Sequence, residues 1–424
     1  MNAVLSPGLL RPPSAPAWLV RGTTFWAALL VLALFTSTAL LNLAALGMSG
    51  WALAAWVQQR PWHLLRQPLA WAILALLGWM LLREAWATAS LGPTAWVLVE
   101  FRVLLFALLW APLLAWAPPR RWVGGSLLAG CALAAVAALG YLAATGMTVG
   151  SHHYRLAPNI GGQLMVLGIL GWVMVALWQA PLDRRAALAA AVLAAVCLAA
   201  LLFASTRRTG WVVLLAAVGA FVLAQALVLR RGQLLAVVGA VVLALAAAAA
   251  SPVVQKRVQD VAVDLQKYQA AAPKDQGQVD VSSGIRLRMW QISLELMKER
   301  PLVGTSFGAF PSEYKRIDNA RGGSLVEGFN PHNEYVQMGA MFGLVGLLLY
   351  LSLYAALLQS AWQWRGSTQG TLVLVCTAAL ASSVLMNSML IDMMEGHLFA
   401  LLLAALAFTR WPTAAGTAPG GRAA

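Results

Sequence analysis

Long apolar runs separated by short polar connections recur along nearly the whole chain, and one extended hydrophilic interval, Ser251 to about Pro331, interrupts them. The runs are continuous and rich in Ala, Leu and Val, without the alternation of a lipid-facing strand. They therefore predict helices rather than a closed barrel, the two architectures that satisfy every backbone group in hydrocarbon. At about 1.5 Å of rise per residue, a hydrocarbon core of roughly 30 Å takes about 20 residues to cross. On that length the pattern predicts about 12 spans, beginning near residues 24, 40, 68, 95, 123, 159, 187, 211, 234, 333, 370 and 394. The first two share one apolar interval, Thr24 to Trp56, divided around Asn42 on length alone. No small-residue cleavage site follows Arg11 and Arg21, so the first run is expected to be a retained span.

The expected fold class is all-α: a polytopic membrane protein with one large periplasmic loop that contains helices. Its expected division is a cytoplasmic N-terminus (1–23), transmembrane helices (24–250), the periplasmic loop (251–331), further transmembrane helices (332–411) and a disordered cytoplasmic tail (412–424). Composition agrees, since 61% hydrophobic residues, 10% charged residues and 19 Trp give more apolar surface than one soluble core can bury.

Charge fixes the expected orientation. Arg60, Arg66, Arg120, Arg121, Arg184, Arg185, Arg230, Arg231 and Arg365 fall in alternate connections, whereas the short connections of the opposite side hold only Arg83, Arg155, Arg207 and Arg208. By the excess of Lys and Arg on cytoplasmic loops, both termini are cytoplasmic and the long interval is periplasmic. The net charge of +14 is then mostly topology. No cytoplasmic loop is long enough to build a basic nucleic-acid face, so nucleic acid is not an expected partner. Cys131, Cys197 and Cys376 each lie within an apolar run and are expected as buried free thiols.

Orientation turns the few outer arginines into candidates. Arg207 and Arg208 sit in a short connection, Ser205 to Trp211, on the side where cations are scarce. Either both snorkel to lipid phosphates, or at least one faces the bundle and offers the two parallel donors that suit a diphosphate. In the long loop, Gly284 to Glu299 has the apolar spacing of an amphipathic helix, capped by Ser282 or Ser283 and ended at Pro301. Arg286 shares a broad face with Trp290 and Met297; Arg288 lies about 200° around from it and is expected on a solvated face with Lys298 and Arg300. Glu100 and Arg102, inside a span, are expected to pair with neighbours or touch the edge of the site.

His332 stands at the start of an apolar run, after Asn330-Pro331 and before Asn333 and Glu334. Asn330 or His332 is expected to cap the helix that follows, whose dipole disfavours an imidazolium and leaves a neutral base near pH 7. Glu334 either orients that histidine or is itself the base. No outer Asp-x-Asp pair occurs, and His152-His153 has no nearby carboxylate, so no metal site is expected.

These motifs together resemble the O-antigen ligase and polymerase superfamily of bacterial membrane glycosyltransferases. The likeness lies in Ser282 to Trp290, in Arg300-Pro301-Leu302-Val303-Gly304 through Gly308, and in His332-Asn333-Glu334-Tyr335 leading to Gly343-Leu-Val-Gly346, in that order. Arg208-Thr209-Gly210-Trp211 looks like the family's arginine at the start of a span, and Arg155 with Pro158-Asn159 resembles its segment in an earlier outer loop. Two departures stand out. The arginine is doubled at Arg207-Arg208, and Thr305-Ser306 stands where the family often carries a second glycine. The resemblance implies a GT-C-like enzyme of the bacterial inner membrane, without cofactor, moving a glycan from an undecaprenyl diphosphate donor to a lipid A-core acceptor at the periplasmic face. In that role His332, with Glu334, is catalytic; Arg208, Arg286 and Arg207 hold the diphosphate; Arg155, Asn159, Asn333 and Trp290 are further substrate contacts. A polymerase or protein O-oligosaccharyltransferase of the same superfamily, or a glycolipid flippase, are the alternatives. The sequence does not set an oligomeric state.

Overall fold

The computed structural model describes residues 16–88, 91–146, 162–204, 209–226, isolated positions between 231 and 250, 252–270, 282–323 and 330–411. These form helices and turns and no strand. In chain order the helices are α1 (Ala17–Leu34), α2 (Thr38–Gln59), α3 (Pro68–Thr88), α4 (Leu91–Glu100), α5 (Arg102–Leu114), α6 (Ala117–Thr145), α7 (Gly162–Gln179), α8 (Arg184–Ala199) and α9 (Thr209–Ala226). Then follow α10 (Pro252–Ala270), α11 (Ser282–Glu299), α12 (Phe310–Ala320), α13 (Glu334–Gln363), α14 (Thr368–Ser383) and α15 (Met393–Leu406).

Among the described residues, seven helices are long and apolar enough to cross a membrane, and α4 with α5, bent by 60° at one break, brings the number to eight. Three shorter apolar helices, Leu164–Gln179, α14 and α15, lie at expected positions. The chain is an all-α multi-pass membrane protein. Of the about 12 spans that the hydropathy pattern predicts, the one from about 234 falls mostly outside the described residues.

The division of the first apolar interval differs from expectation. The break lies at residues 35–37, not near Asn42, which is inside α2. Length alone could not locate it; side chains do. Thr36 Oγ1 donates to Leu32 O at 3.0 Å, and Ser37 caps α2 by accepting from Leu40 N–H. α1 also starts at Ala17, directly after Pro16, ahead of the expected position.

The bundle packs α1 on α2 and α6, α5 on α15, α7 on α8, α9 on α14, and α13 on both α3 and α14. Of the loop helices, α11 lies against α13 and carries α10 and α12 on its other sides. The buried side of α11 is Arg288, Met289, Ile292, Ser293 and Leu296, a helical spacing of three and four. Arg288 thus departs from the solvated face expected for it. Its guanidinium makes two bonds to Asp318 Oδ1 on α12, at 3.1 and 2.9 Å, and the two side chains are 2% and 7% exposed. Nothing within α11 announced this, because the partner is thirty residues away. Removing one member of such a pair leaves an uncompensated buried charge, at a cost of about 3–5 kcal/mol. Arg288→Ala is therefore expected to lower the thermal midpoint of the detergent-purified protein, and Arg288→Met combined with Asp318→Leu is expected to recover most of the loss.

α13 is a broken helix. At Gly343 the backbone turns to φ 70°, ψ −170°, and the segment 301–306 fills the gap with backbone hydrogen bonds. Leu344 N–H donates to Pro301 O at 2.8 Å, Thr305 N–H to Ala340 O at 2.9 Å and Ser306 N–H to Met341 O at 2.8 Å. Trp79 Nε1 of α3 donates to Phe342 O at 2.9 Å. These bonds satisfy groups freed by the break inside an apolar bundle, where an orphan would be expensive. Gly304 and Gly343 approach so closely that a Cβ on Gly304 would stand 2.5 Å from the Met341 carbonyl. Ser306, one of the two residues at the site of the departed second glycine, takes φ 80°, and its Oγ accepts from Ala309 N–H at 3.2 Å.

The end of α3 holds this segment to the bundle. Arg83 Nε and Nη2 donate to Val303 O and Gly304 O at 2.9 and 2.8 Å, and both Glu84 carboxylate oxygens accept from Gly308 N–H at 3.1 Å. Arg83, scarce by the topology argument, is a structural clamp.

Candidate functional site

The chain leaves the loop through Asn330-Pro331-His332-Asn333 and enters α13 at Glu334. Asn333, not Asn330 or His332, is the cap, its Oδ1 accepting from Val336 N–H at 3.1 Å. Asn330 instead shapes the turn: its Oδ1 accepts from His332 N–H at 2.8 Å and from Ser388 Oγ–H at 2.7 Å. His332 itself is in the left-handed region, φ 51°, a conformation that a non-glycine residue holds only where its surroundings over-determine it. Strain of this kind clusters at functional sites.

What over-determines it is a second connection, residues 384–392 between α14 and α15. Glu334 N–H donates to Val384 O at 2.9 Å, and Tyr335 OH donates to Ala381 O at 2.9 Å. The Glu334 carboxylate, fully buried, accepts from Leu390 N–H at 2.9 Å with one oxygen and from Tyr350 OH at 3.0 Å with the other. Tyr350 in turn lies 2.8 Å from Tyr354 OH. The bonds to Val384, Leu390 and Ala381 fasten the 330–335 turn to the 384–392 connection and to the end of α14.

α11 supplies the third wall. Trp290 Nε1 donates to Pro331 O at 2.7 Å, anchoring the helix one residue before the histidine. That contact brings Arg286, one turn earlier on the same face, within electrostatic reach of the imidazole. The His332 pKa is accordingly pulled below the ordinary imidazole value, first by burial and next by the Arg286 charge; the Asn387 contact and Asp392 act the other way. The expected helix-dipole effect is not the leading cause. Asp392 caps α15, its Oδ1 accepting from Met394 and Glu395 N–H at 2.9 Å.

The structure therefore brings together His332, Asn333, Glu334, Arg286 and Trp290. Arg155, Asn159, Arg207 and Arg208, together with His152 and His153, lie outside the described residues. Arg102, at the bend between α4 and α5, donates to Val99 O at 2.6 Å and to Met393 Sδ at 3.1 Å beside the start of α15. Among the described residues no three His, Cys, Asp or Glu side chains converge as a metal-ligand set. Cys131, Cys197 and Cys376 are free and buried.

Sequence reasoning missed the 384–392 connection altogether, and with it Asn387 and Ser388. A signal existed. Asn387, Ser388, Asp392 and Glu395 interrupt an apolar stretch at the end of the bundle where the long loop emerges.

Residues 193–351 match the family model described as O-Antigen ligase. That stretch runs from α8 into α13, so it contains α11, the 301–306 segment and the turn at His332. No curated protein matches the chain.

Proposed function

We propose that this chain, which its residues 193–351 place in the O-antigen ligase superfamily, transfers O-antigen from an undecaprenyl diphosphate donor to a lipid A-core sugar hydroxyl, at the periplasmic face of the bacterial inner membrane. The observation that carries this reading is the placement of His332 within reach of the Arg286 charge, in a turn clamped by Trp290. A neutral base and an anion-binding guanidinium are what a transfer from a diphosphate needs side by side.

In the proposed step the acceptor oxygen attacks the anomeric carbon and its proton passes to His332. The bond from that carbon to the diphosphate oxygen breaks, and undecaprenyl diphosphate leaves with its added charge held by Arg286 and by Arg208 or Arg207. One base and no second carboxylate placed as a nucleophile favour a single displacement with inversion. Glu334 is assigned an anchoring role, because both its oxygens are already bonded to Leu390 and Tyr350. Asn333 holds the helix start, and Arg155 and Asn159 remain candidates for the sugar or the diphosphate. The arginines serve as counter-ions to the leaving group, so transfer is expected to proceed undiminished in EDTA.

Isolated membranes given a lipid-linked donor and a rough lipopolysaccharide acceptor test the proposal. Capped lipopolysaccharide supports the ligase; growth of lipid-linked chains instead assigns polymerase; neither product overturns the glycosyltransferase reading.

The pH profile gives a finer check. Because the His332 pKa is lowered, the base is neutral, and kcat/KM should be flat, down to a pH below the usual imidazole value of about 6.5. Asp392 raises that pKa, so removing its charge must lower it further. Asp392→Asn keeps a capping side chain, and its acid limb is expected to move to lower pH; movement to higher pH would contradict the assignment.

A further inference from the structure

The 384–392 connection does more than fasten a turn. His332 Nδ1 stands 3.4 Å from Asn387 Oδ1, and the other end of the same amide, Nδ2, donates to Glu395 Oε2. The order of these contacts fixes protons. With the NH2 end of Asn387 donating to Glu395, the carbonyl end of the amide faces His332. A carbonyl only accepts, so Nδ1 must carry the imidazole hydrogen. The lone pair is then on Nε2, the ring nitrogen not facing the Asn387 carbonyl.

We infer that Asn387 and Glu395 are positioning residues for His332: a carboxylate–amide–imidazole relay that selects the Nδ1–H tautomer and presents Nε2 to the acceptor hydroxyl. The inference rests on His332 as the base. When the acceptor proton arrives on Nε2, the ring becomes an imidazolium whose Nδ1–H is held by the Asn387 carbonyl, and the Glu395 charge stands behind that dipole. The proton is later lost from Nε2 to water, so the relay orients and stabilises without itself changing protonation. Among the described residues, the charged groups around the ring are Arg286 from α11, Asp392 from the start of α15 and Glu395 through the amide. The neighbouring Glu334 carboxylate is engaged with Leu390 N–H and Tyr350. Using a neutral amide next to the ring keeps the base un-ionised beside Arg286, whereas a carboxylate there would favour the imidazolium.

Three variants of the full-length protein, in membranes with the lipid-linked donor and the rough lipopolysaccharide acceptor, decide the matter. Asn387→Leu is expected to lower kcat about 100-fold, within the range a positioned general base supplies, with the donor KM unchanged. The double exchange Asn387→Asp with Glu395→Gln keeps the direction of the hydrogen bonds but moves the charge next to Nδ1. It is expected to return kcat to within about 10-fold of the native enzyme while shifting the acid limb of kcat/KM to higher pH. Glu395→Gln alone, whose amide can present either end to Asn387, should fall between the two. A purely structural connection would instead reduce folded yield or raise KM and leave the acid limb of the double exchange where it is, and that result overturns the relay. Should Asn387→Leu not fold, the pH limb of the double exchange decides alone. His332→Ala separates the two levels: if it retains activity, the base assignment fails; if it is inactive while Asn387→Leu has native kcat, only the relay fails.

Discussion

His332→Ala is expected to reduce transfer by about 10²–10⁴-fold, the contribution of a positioned general base, without loss of folded protein. Both halves follow from geometry. Among the described residues the imidazole has one hydrogen-bonding contact, to Asn387 at 3.4 Å, whereas the turn around it is held by backbone and by neighbours: His332 N–H to Asn330, Asn333 Oδ1 from Val336 N–H, and Trp290 to Pro331 O. Alanine keeps all of these. It also keeps the left-handed backbone at this residue, at a cost of about 1 kcal/mol. Size-exclusion behaviour and thermal midpoint in detergent should therefore match the native protein while capped lipopolysaccharide disappears. Native turnover by the alanine variant would remove His332 from the mechanism and with it the proposed chemistry.

Gly343→Ala is expected to be the most damaging single methyl group for the fold. The φ 70°, ψ −170° conformation belongs to a region that is almost only glycine's and costs other residues about 1–3 kcal/mol. The steric conflict is worse, since the added Cβ would stand 2.2 Å from Leu302 O and 2.4 Å from Val303 N. These are backbone atoms, which no rotamer change can withdraw. They belong to the segment that completes the broken helix, so the variant must either straighten α13 or expel residues 301–306, and both leave backbone groups unpaired in the bundle. Little monodisperse protein is expected after extraction. Gly219→Ala, in α9 with nothing within 4 Å, is the matching control and should be neutral or gain up to about 1 kcal/mol from helix propensity. A native thermal midpoint for Gly343→Ala would show that the break is not required.

The two substitutions separate what was visible in the chain from what was not. Hydropathy marked the spans, and the amphipathic spacing in Gly284–Glu299 marked α11 to within two residues, because both signals are local and periodic. The motif around His332 was legible as well. Its cap was misplaced by one to three residues, since Asn330, His332 and Asn333 are all able caps and only the approach of Ser388 decides which Asn turns outward. Arg288 was misjudged for a related reason. An arginine in an amphipathic helix is assigned to solvent unless its partner is known, and Asp318 is brought to it by the packing of α12. Gly304 and Gly343 stood in two separate stretches of the resemblance, with nothing in the sequence to show that they approach each other.

By itself the sequence determined that this is a helical membrane protein, which hydrophilic interval is long, and that motifs with arginines and a histidine follow a spacing like that of the O-antigen ligases. Each of these rests on interactions with water, lipid or near neighbours, and composition and periodicity report those directly. Only the tertiary structure decided that Arg286 and His332 act on each other, that Glu334 is engaged within the fold, and that Asn387 and Glu395 stand behind the imidazole. Most of these are pairings between residues far apart in the chain, up to 56 positions for Glu334 and Leu390. They are set by how α11, α13 and the 384–392 connection pack, and packing depends on shape complementarity across the whole bundle, which no local pattern encodes.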